Sequence, residues 1–427
     1  MREETILMAG AVPCRSVDGD AIIARALAAA RDHLDMAAAY VSEFDGDEIV
    51  LRHVDKAEGA PDIRAGDRHP VVEVYCRHIH LGSLPQFIPD TAALPLCQTL
   101  RVTTALPIGS HAGVPLVRPD GSVYGMFCCF STDPHPTLNA RDLKVLRFFA
   151  ARAQEQLTHD LRRRSHLDET AARVDAMLRS RDFHVVYQPI YHLGDGRLAS
   201  LEALCRFRPE PYRPPDRWFE DARLAGMQTE LEVAVIEEAL RTVGRLPPGV
   251  RLSVNASSDT AASSALLEVF ERSGAERIVL EITEHDRSAE PCVLLQGTRA
   301  LRAAGALIAI DDVGAGYSGL HQILRLQPDI LKLDMGLVRD IHCDPARRAL
   351  AAAMVSFAAG TGARVTAEGI ERREELDVLR ALGIDHGQGW LLGRPGPFAA
   401  AAPVAAIEAE PPARAQEPRR AAAGRRA

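Results

Sequence analysis

In the second half of this chain, the residues at or near the ends of successive apolar runs are almost all acidic or amide in type. They are Glu202, Asn255, Glu281, the adjacent pair Asp311 and Asp312, then Lys332 and Asp334, Glu368 and Gln388. Any one of them suits a helix cap or a turn as well as a site. As a set they differ, because bringing so many carboxylates to one rim costs on the order of several kcal/mol in repulsion and desolvation unless cations sit among them. Oxygen donors without clustered His or Cys suit Mg²⁺ or Mn²⁺ rather than Zn²⁺. The pair in "LIAIDDVGAGYSGL" raises a geometric problem. Successive strand side chains point to opposite faces, so two neighbouring aspartates share a site only if the strand ends between them, and Gly314 and Gly316 offer that break.

The runs themselves are "HVVYQPIYH", "RLASLEALCRF", "RLSVNAS", "RIVLEIT", "ALIAIDDVG", "DILKLD", "RVTAEGI" and "GQGWLLG". Between most of them lie Ala/Leu/Arg/Glu-rich helical stretches such as "AVIEEALRTVGRL". Eight such runs with intervening helices predict an α/β chain whose C-terminal part is a TIM-like (β/α)8 barrel, a fold that gathers its active site at the C-terminal ends of the strands. The first 155 residues have a different texture. "GDAIIARALAAARDHL" is spaced as an amphipathic helix, "AAYVSEFDGDEIVLRHV" as a hairpin around Asp-Gly, and "AGVPLVRPDGSVYGMFCCF" as a second hairpin. A long helix follows, with Asn139 or Thr137 as its candidate N-cap. These elements predict an α+β domain over residues 1–155. The helical pattern continues over 156–180, where Leu167, Ala171, Val174 and Leu178 recur at three- and four-residue spacing, suited either to pairing with a second copy in a homodimer or to packing on its own domain. The barrel is expected over 181–400 and a disordered tail over 401–427.

Composition narrows the partners. A chain of 427 residues with 47% hydrophobic content can bury at least two cores. A net charge of −8 argues against a nucleic-acid polymer as partner, so an anionic ligand would be held by local charges or metal ions. No run reaches the roughly 20 apolar residues of a membrane span, and "MREETILMAGAVP" lacks the apolar core of a signal peptide. The eight cysteines, Cys14, Cys76, Cys97, Cys128, Cys129, Cys205, Cys292 and Cys343, show no metal-ligand spacing and read as reduced thiols of a cytoplasmic protein.

Two resemblances add to this reading. The stretch "VYCRHIHLGSLPQFIPDT" set between two hairpins resembles a GAF domain, a sensory module whose members bind cyclic nucleotides, haem, bilins or no small ligand; His53, His78, His80 and Cys76 do not choose among these. From about residue 180 to 398, "YQPI", "LEALCRF" with its Glu202-Ala203-Leu204, "VNAS", "LEITE", "DDVGAGYSGL", "DILKLD", "AEGIE" and "QGWLLGRP" follow in the order found in EAL domains, the cyclic di-GMP phosphodiesterases of bacterial signalling. That resemblance implies metal-dependent opening of cyclic di-GMP to linear pGpG under control of the N-terminal domain. It makes Glu202, Asn255, Glu281 and Asp311 the ligands of one ion and Asp311, Asp312 and Glu368 those of a second, with Asp311 bridging. Lys332 would contact the attacking water, either orienting it or accepting its proton, and Gln388 would position water and metal ligands. Arg206 and Gln188 would meet the substrate, Glu371 would support the catalytic group, and Glu284 would anchor the loop after the fifth strand. The chain departs from the common DDFGTGYSSL loop at Val313, Ala315 and Gly319, and has Phe207 where tryptophan is usual. No GGDEF cyclase motif is present. Two other functions compete: a catalytically inactive receptor for cyclic di-GMP, and a different barrel enzyme that abstracts a proton with a lysine base.

Overall fold

The computed structural model describes residues 17–283, 290–314 and 319–401. The chain divides into two units, Met1–His166 and Leu167–Ala427, and the division falls within one continuous helix, Ala140–Ser180. Asn139 caps that helix: its side-chain oxygen accepts from Arg141 N–H at 2.9 Å, while Asp142 accepts from Asn139 N–H at 2.9 Å. This reciprocal pairing satisfies donors that the first helical turn leaves without partners.

The first unit is built on six antiparallel strands: β1 (Ala38–Asp45), β2 (Glu48–Lys56), β3 (Arg68–Pro70), β4 (Phe87–Ile88), β5 (Ser110–Val117) and β6 (Val123–Ser131). Their order across the sheet is β3-β2-β1-β6-β5-β4. Gly46, at a positive φ of 62°, makes the turn between β1 and β2 that the Asp-Gly pair signals. Strand alternation gives the sheet two buried faces. Ala39, Val41, Phe127 and Cys129 pack with Leu27, Leu146 and Ala150 of the flanking helices. Ala38, Tyr40, Met126 and Cys128 pack on the other face with Tyr75, Cys76 and Ile79.

The second unit is a closed barrel of eight strands. They are β7 (Phe183–His192), β8 (Leu198–Phe207), β9 (Arg251–Asn255), β10 (Ile278–Thr283), β11 (Leu307–Val313), β12 (Ile330–Leu333), β13 (Arg364–Ala367) and β14 (His386–Gly387). From β8 to β14 each neighbour is parallel, but β7 runs antiparallel to both β8 and β14. The first β/α unit of the expected barrel is therefore a hairpin: only Leu193 to Arg197 connect β7 to β8, too few for the helical crossover that parallel strands require. The eighth strand is also shorter than "GQGWLLG", because Gly389 turns the chain against Ile370, where a Cβ would lie 2.2 Å from the Ile370 backbone nitrogen and oxygen. A continuous apolar core of barrel and helix residues includes Leu201, Leu252, Leu280, Ile308, Leu331 and Val365. Val174 and Met177 of the long helix pack within this unit on Phe183, Phe207 and Trp218, so one face of the 167–178 spacing is used inside the chain. Among the described residues no helix is long and apolar enough to cross a membrane.

Candidate active site

Lys332 stands on β12 with its side chain only 2% exposed, and burying an ammonium alone would be severely unfavourable. Its neighbours explain it. Nζ lies 2.6 Å from Glu281 Oε2 on β10, 2.6 Å from Glu368 Oε1 just past β13, 3.2 Å from Asp311 Oδ1 on β11 and 3.9 Å from Glu202 Oε2 on β8. Four strands thus each bring one carboxylate to a single cation. Burial works against the charged lysine, but the four carboxylates outweigh it and hold the ammonium well above its ordinary pKa. Burial likewise pushes Glu281 well above the usual carboxylate range and Glu368 up to about 8, against the pull of Lys332.

Amide side chains extend the ring. Asn255, the last residue of β9, donates from Nδ2 to Glu202 Oε1 at 2.9 Å. Gln388 donates from Nε2 to Glu202 Oε2 at 2.6 Å and to Gln188 Oε1 at 2.9 Å. Gln188 sits directly across from Glu202 in the β7–β8 pairing and donates to Gly393 O at 3.0 Å. Gln388 Oε1 is left buried with no hydrogen-bond partner, an acceptor on the same amide that donates to Glu202.

The aspartate pair departs from the expected geometry. The strand does not end between the two residues: both lie within β11, and the register to β12 shifts between Ile310 and Val313. Asp312 itself takes a left-handed backbone, φ 58°, and its N–H donates to Asp311 Oδ1 at 3.0 Å. Aspartate tolerates this region better than β-branched residues do, so the bulge turns both carboxylates toward one place without a glycine at the turning point. Gly314, at φ 106°, continues the bend, while Gly316 lies outside the described residues. Carboxylate oxygens of Asp311, Asp312 and Glu368 fall within 4.8 Å of one another. This all-oxygen set, with the buried acceptor of Gln388 nearby, fits hard divalent cations.

The remaining expected residues fall in different places. Arg206 is partly buried near the end of β8, donates to Cys205 O at 2.8 Å, and among the described residues forms no ion pair. Asp334 is a helix cap, accepting from Gly336 N–H at 2.8 Å. Glu371 is exposed and paired with Arg339 at 3.3 Å, so its carboxylate is not brought to Lys332. Glu284 lies outside the described residues. One supporting contact has no signal in the spacing: buried Glu232 accepts from both Ser257 N–H and its hydroxyl at 2.8 Å, fixing the turn that follows Asn255. A glutamate on an amphipathic helix reads as solvated until its tertiary partner is known.

Comparison with known proteins gives this geometry its relatives. The sequence model of the GAF domain matches residues 18–157, and that of the EAL domain matches residues 171–395. An uncharacterized protein of Azorhizobium caulinodans is 31% identical over 284 residues, covering 62% of this chain and 38% of that protein. The cyclic di-GMP phosphodiesterase NbdA of Pseudomonas aeruginosa is 30% identical over 266 residues, covering 60% of this chain and 33% of that protein. The chain thus spans about a third of the length of these curated relatives. In fold, the barrel is similar to the EAL domain of Xanthomonas citri FimX, solved in complex with c-diGMP, with a TM-score of 0.50 and 20% identity over 55% of this chain and 96% of that one. With the EAL model matching more than half of its length, and with a GAF domain ahead of the barrel, this chain belongs to the EAL domain family.

Proposed function

We propose that this chain hydrolyses cyclic di-GMP to linear pGpG, using two Mg²⁺ or Mn²⁺ ions, and that its GAF domain regulates the reaction. The observation that carries the reading is the group around Lys332: four carboxylates paired with one buried lysine, and two amides that donate to Glu202. The resemblance to NbdA supports the choice of substrate. Glu202, Asn255, Glu281 and Asp311 would hold one ion; Asp311, Asp312 and Glu368 would hold the other. When bound, such a pair supplies Lewis-acid polarisation of the phosphate and an acidified water.

The chain's own residues do the rest. Lys332 donates from Nζ and orients the water for in-line attack at phosphorus. Gln388, its amide N–H groups already committed to Glu202 and Gln188, leaves Oε1 to accept from that water. Arg206, at the end of the strand that carries Glu202, provides a guanidinium for a phosphate oxygen of the substrate. Glu371 acts from outside the ring, where its N–H donates to Glu375 Oε2 at 3.0 Å and fixes the turn after Glu368.

The test is incubation of the purified full chain with cyclic di-GMP and either ion, following pGpG by chromatography. Hydrolysis that stops on chelation and is abolished in Glu202→Ala is the expected result. Binding of the dinucleotide without cleavage in either ion would replace the hydrolase with the receptor.

A further inference from the structure

The GAF domain buries a group of polar side chains that the barrel chemistry does not use. Cys76, in the short helix Tyr75–His80, and Cys128, on β6, are both fully buried, and their sulfurs lie 4.0 Å apart. Two hydroxyls meet the same thiol: Tyr40 Oη and Ser42 Oγ each lie 3.6 Å from Cys76 Sγ. Tyr40 Oη also lies 3.3 Å from His111 Nε2. A buried cysteine is ordinarily an inert small apolar residue, and Cys129, one position along β6, is that case: it packs on the opposite face of the sheet, and burial pushes its thiol up. Cys76 differs. Hydrogen bonds from Cys128, Ser42 and Tyr40 outweigh its burial and bring its thiol below the ordinary value, whereas burial holds Cys128 well above. Tyr40, whose hydroxyl meets Cys76, also lines, with Tyr75, a cavity of about 20 Å³, room for one water-sized molecule.

We propose that Cys76 and Cys128 are a redox-active dithiol that hydrogen peroxide converts to a disulfide. The Cys76 thiolate attacks one peroxide oxygen, the O–O bond breaks, and the departing hydroxide takes a proton to leave as water. Cys76 is then a sulfenic acid. The Cys128 sulfur attacks the sulfenic sulfur, the S–S bond forms, the S–O bond breaks, and the hydroxide leaves as water with the Cys128 proton. Two thiols lose two electrons in total and one peroxide becomes two waters. Closing the bridge brings the sulfurs from 4.0 Å to the roughly 2.05 Å of a disulfide. Thiol exchange with an external dithiol reverses it.

The test needs no enzymatic activity. The full chain, with Cys14, Cys292 and Cys343 replaced by serine to prevent links between molecules, is treated with hydrogen peroxide, alkylated, digested and mapped by mass spectrometry. A Cys76–Cys128 linked peptide that dithiothreitol abolishes is expected, with Cys97, Cys129 and Cys205 recovered as alkylated free thiols. In parallel, Cys128→Ser is expected to trap Cys76 as a sulfenic acid that reacts with dimedone; should that variant not fold, the mapping of the parent decides alone. The proposal is overturned if Cys76 and Cys128 remain alkylatable at peroxide levels that oxidise Cys292 and Cys343 in the unsubstituted chain. It is equally overturned if Cys76 oxidises without forming the linkage.

Discussion

At the scale of single residues, the site is organised by the charge of Lys332. Among the described residues its ammonium is the one basic group paired with Glu202, Glu281, Asp311 and Glu368, and it lets these four carboxyls, three buried and one partly buried, sit together despite their mutual repulsion. Replacing a buried partner leaves the others uncompensated, a loss of about 3–5 kcal/mol where they stay charged. Glu281 and Glu368 are already pushed toward the neutral form, so part of that loss is relieved by proton uptake. Lys332→Met is therefore expected to eliminate turnover and to destabilise the chelated protein by about 3 kcal/mol, the lower end of that range. Mn²⁺ should restore more stability to the variant than it adds to the parent, since a divalent ion supplies the charge that the methionine lacks. Denaturant titrations with and without chelator measure both effects. A variant as stable as the parent in chelator would show that the carboxyl group does not depend on this cation.

At the scale of elements, the decisive feature is the bulge in β11. A left-handed backbone costs an ordinary residue roughly 1–2 kcal/mol, less for Asp or Asn and more for a β-branched side chain. Asp312→Asn should keep the stability of the chelated protein and lose activity, whereas Asp312→Val should lose activity and about 1–2 kcal/mol more stability than Asp312→Asn. Equal stability of the two variants would mean that the bulge at φ 58° does not decide the local fold. This bulge also marks a limit of the sequence. The acid types at the strand ends, and the eight apolar runs, are legible because burial and strand pattern depend on residue type alone. Direction and local twist are not: an alternating run carries no sign of which way it is traversed, so the β7–β8 hairpin shows only once Leu193 to Arg197 prove too few for a crossover. Nor does spacing separate Glu368 from Glu371. Both belong to "AEGIE", yet one reaches Lys332 and the other pairs with Arg339 at the surface.

At the scale of the whole molecule, each unit carries its own core, and each answers to a different solution variable. Ions that bind only the folded barrel stabilise it by RT ln(1 + [L]/Kd), about 2.7 kcal/mol at a hundredfold excess over Kd. Acid acts on the GAF domain through His111, which is fully buried and whose pKa burial lowers to about 3. The sign follows from linkage. An unfolded histidine takes up its proton near pH 6.5, the folded one only far below, so this contribution is complete above pH 6.5 and declines as pH falls toward 3. The slope is at most about 1.4 kcal/mol per pH unit. Calorimetry of the full chain should therefore show two transitions, of which Mn²⁺ raises one and lowering the pH from 7 to 5.5 depresses the other. His111→Gln should flatten the acid response of the second transition and leave the Mn²⁺ response of the first unchanged. If the variant retained the parent's acid slope, another group would be the acid-sensitive one. If Mn²⁺ raised both transitions by equal amounts, the two cores would be melting as one cooperative body, and the binding energy of the barrel would be transmitted through the helix Ala140–Ser180 that the two units share.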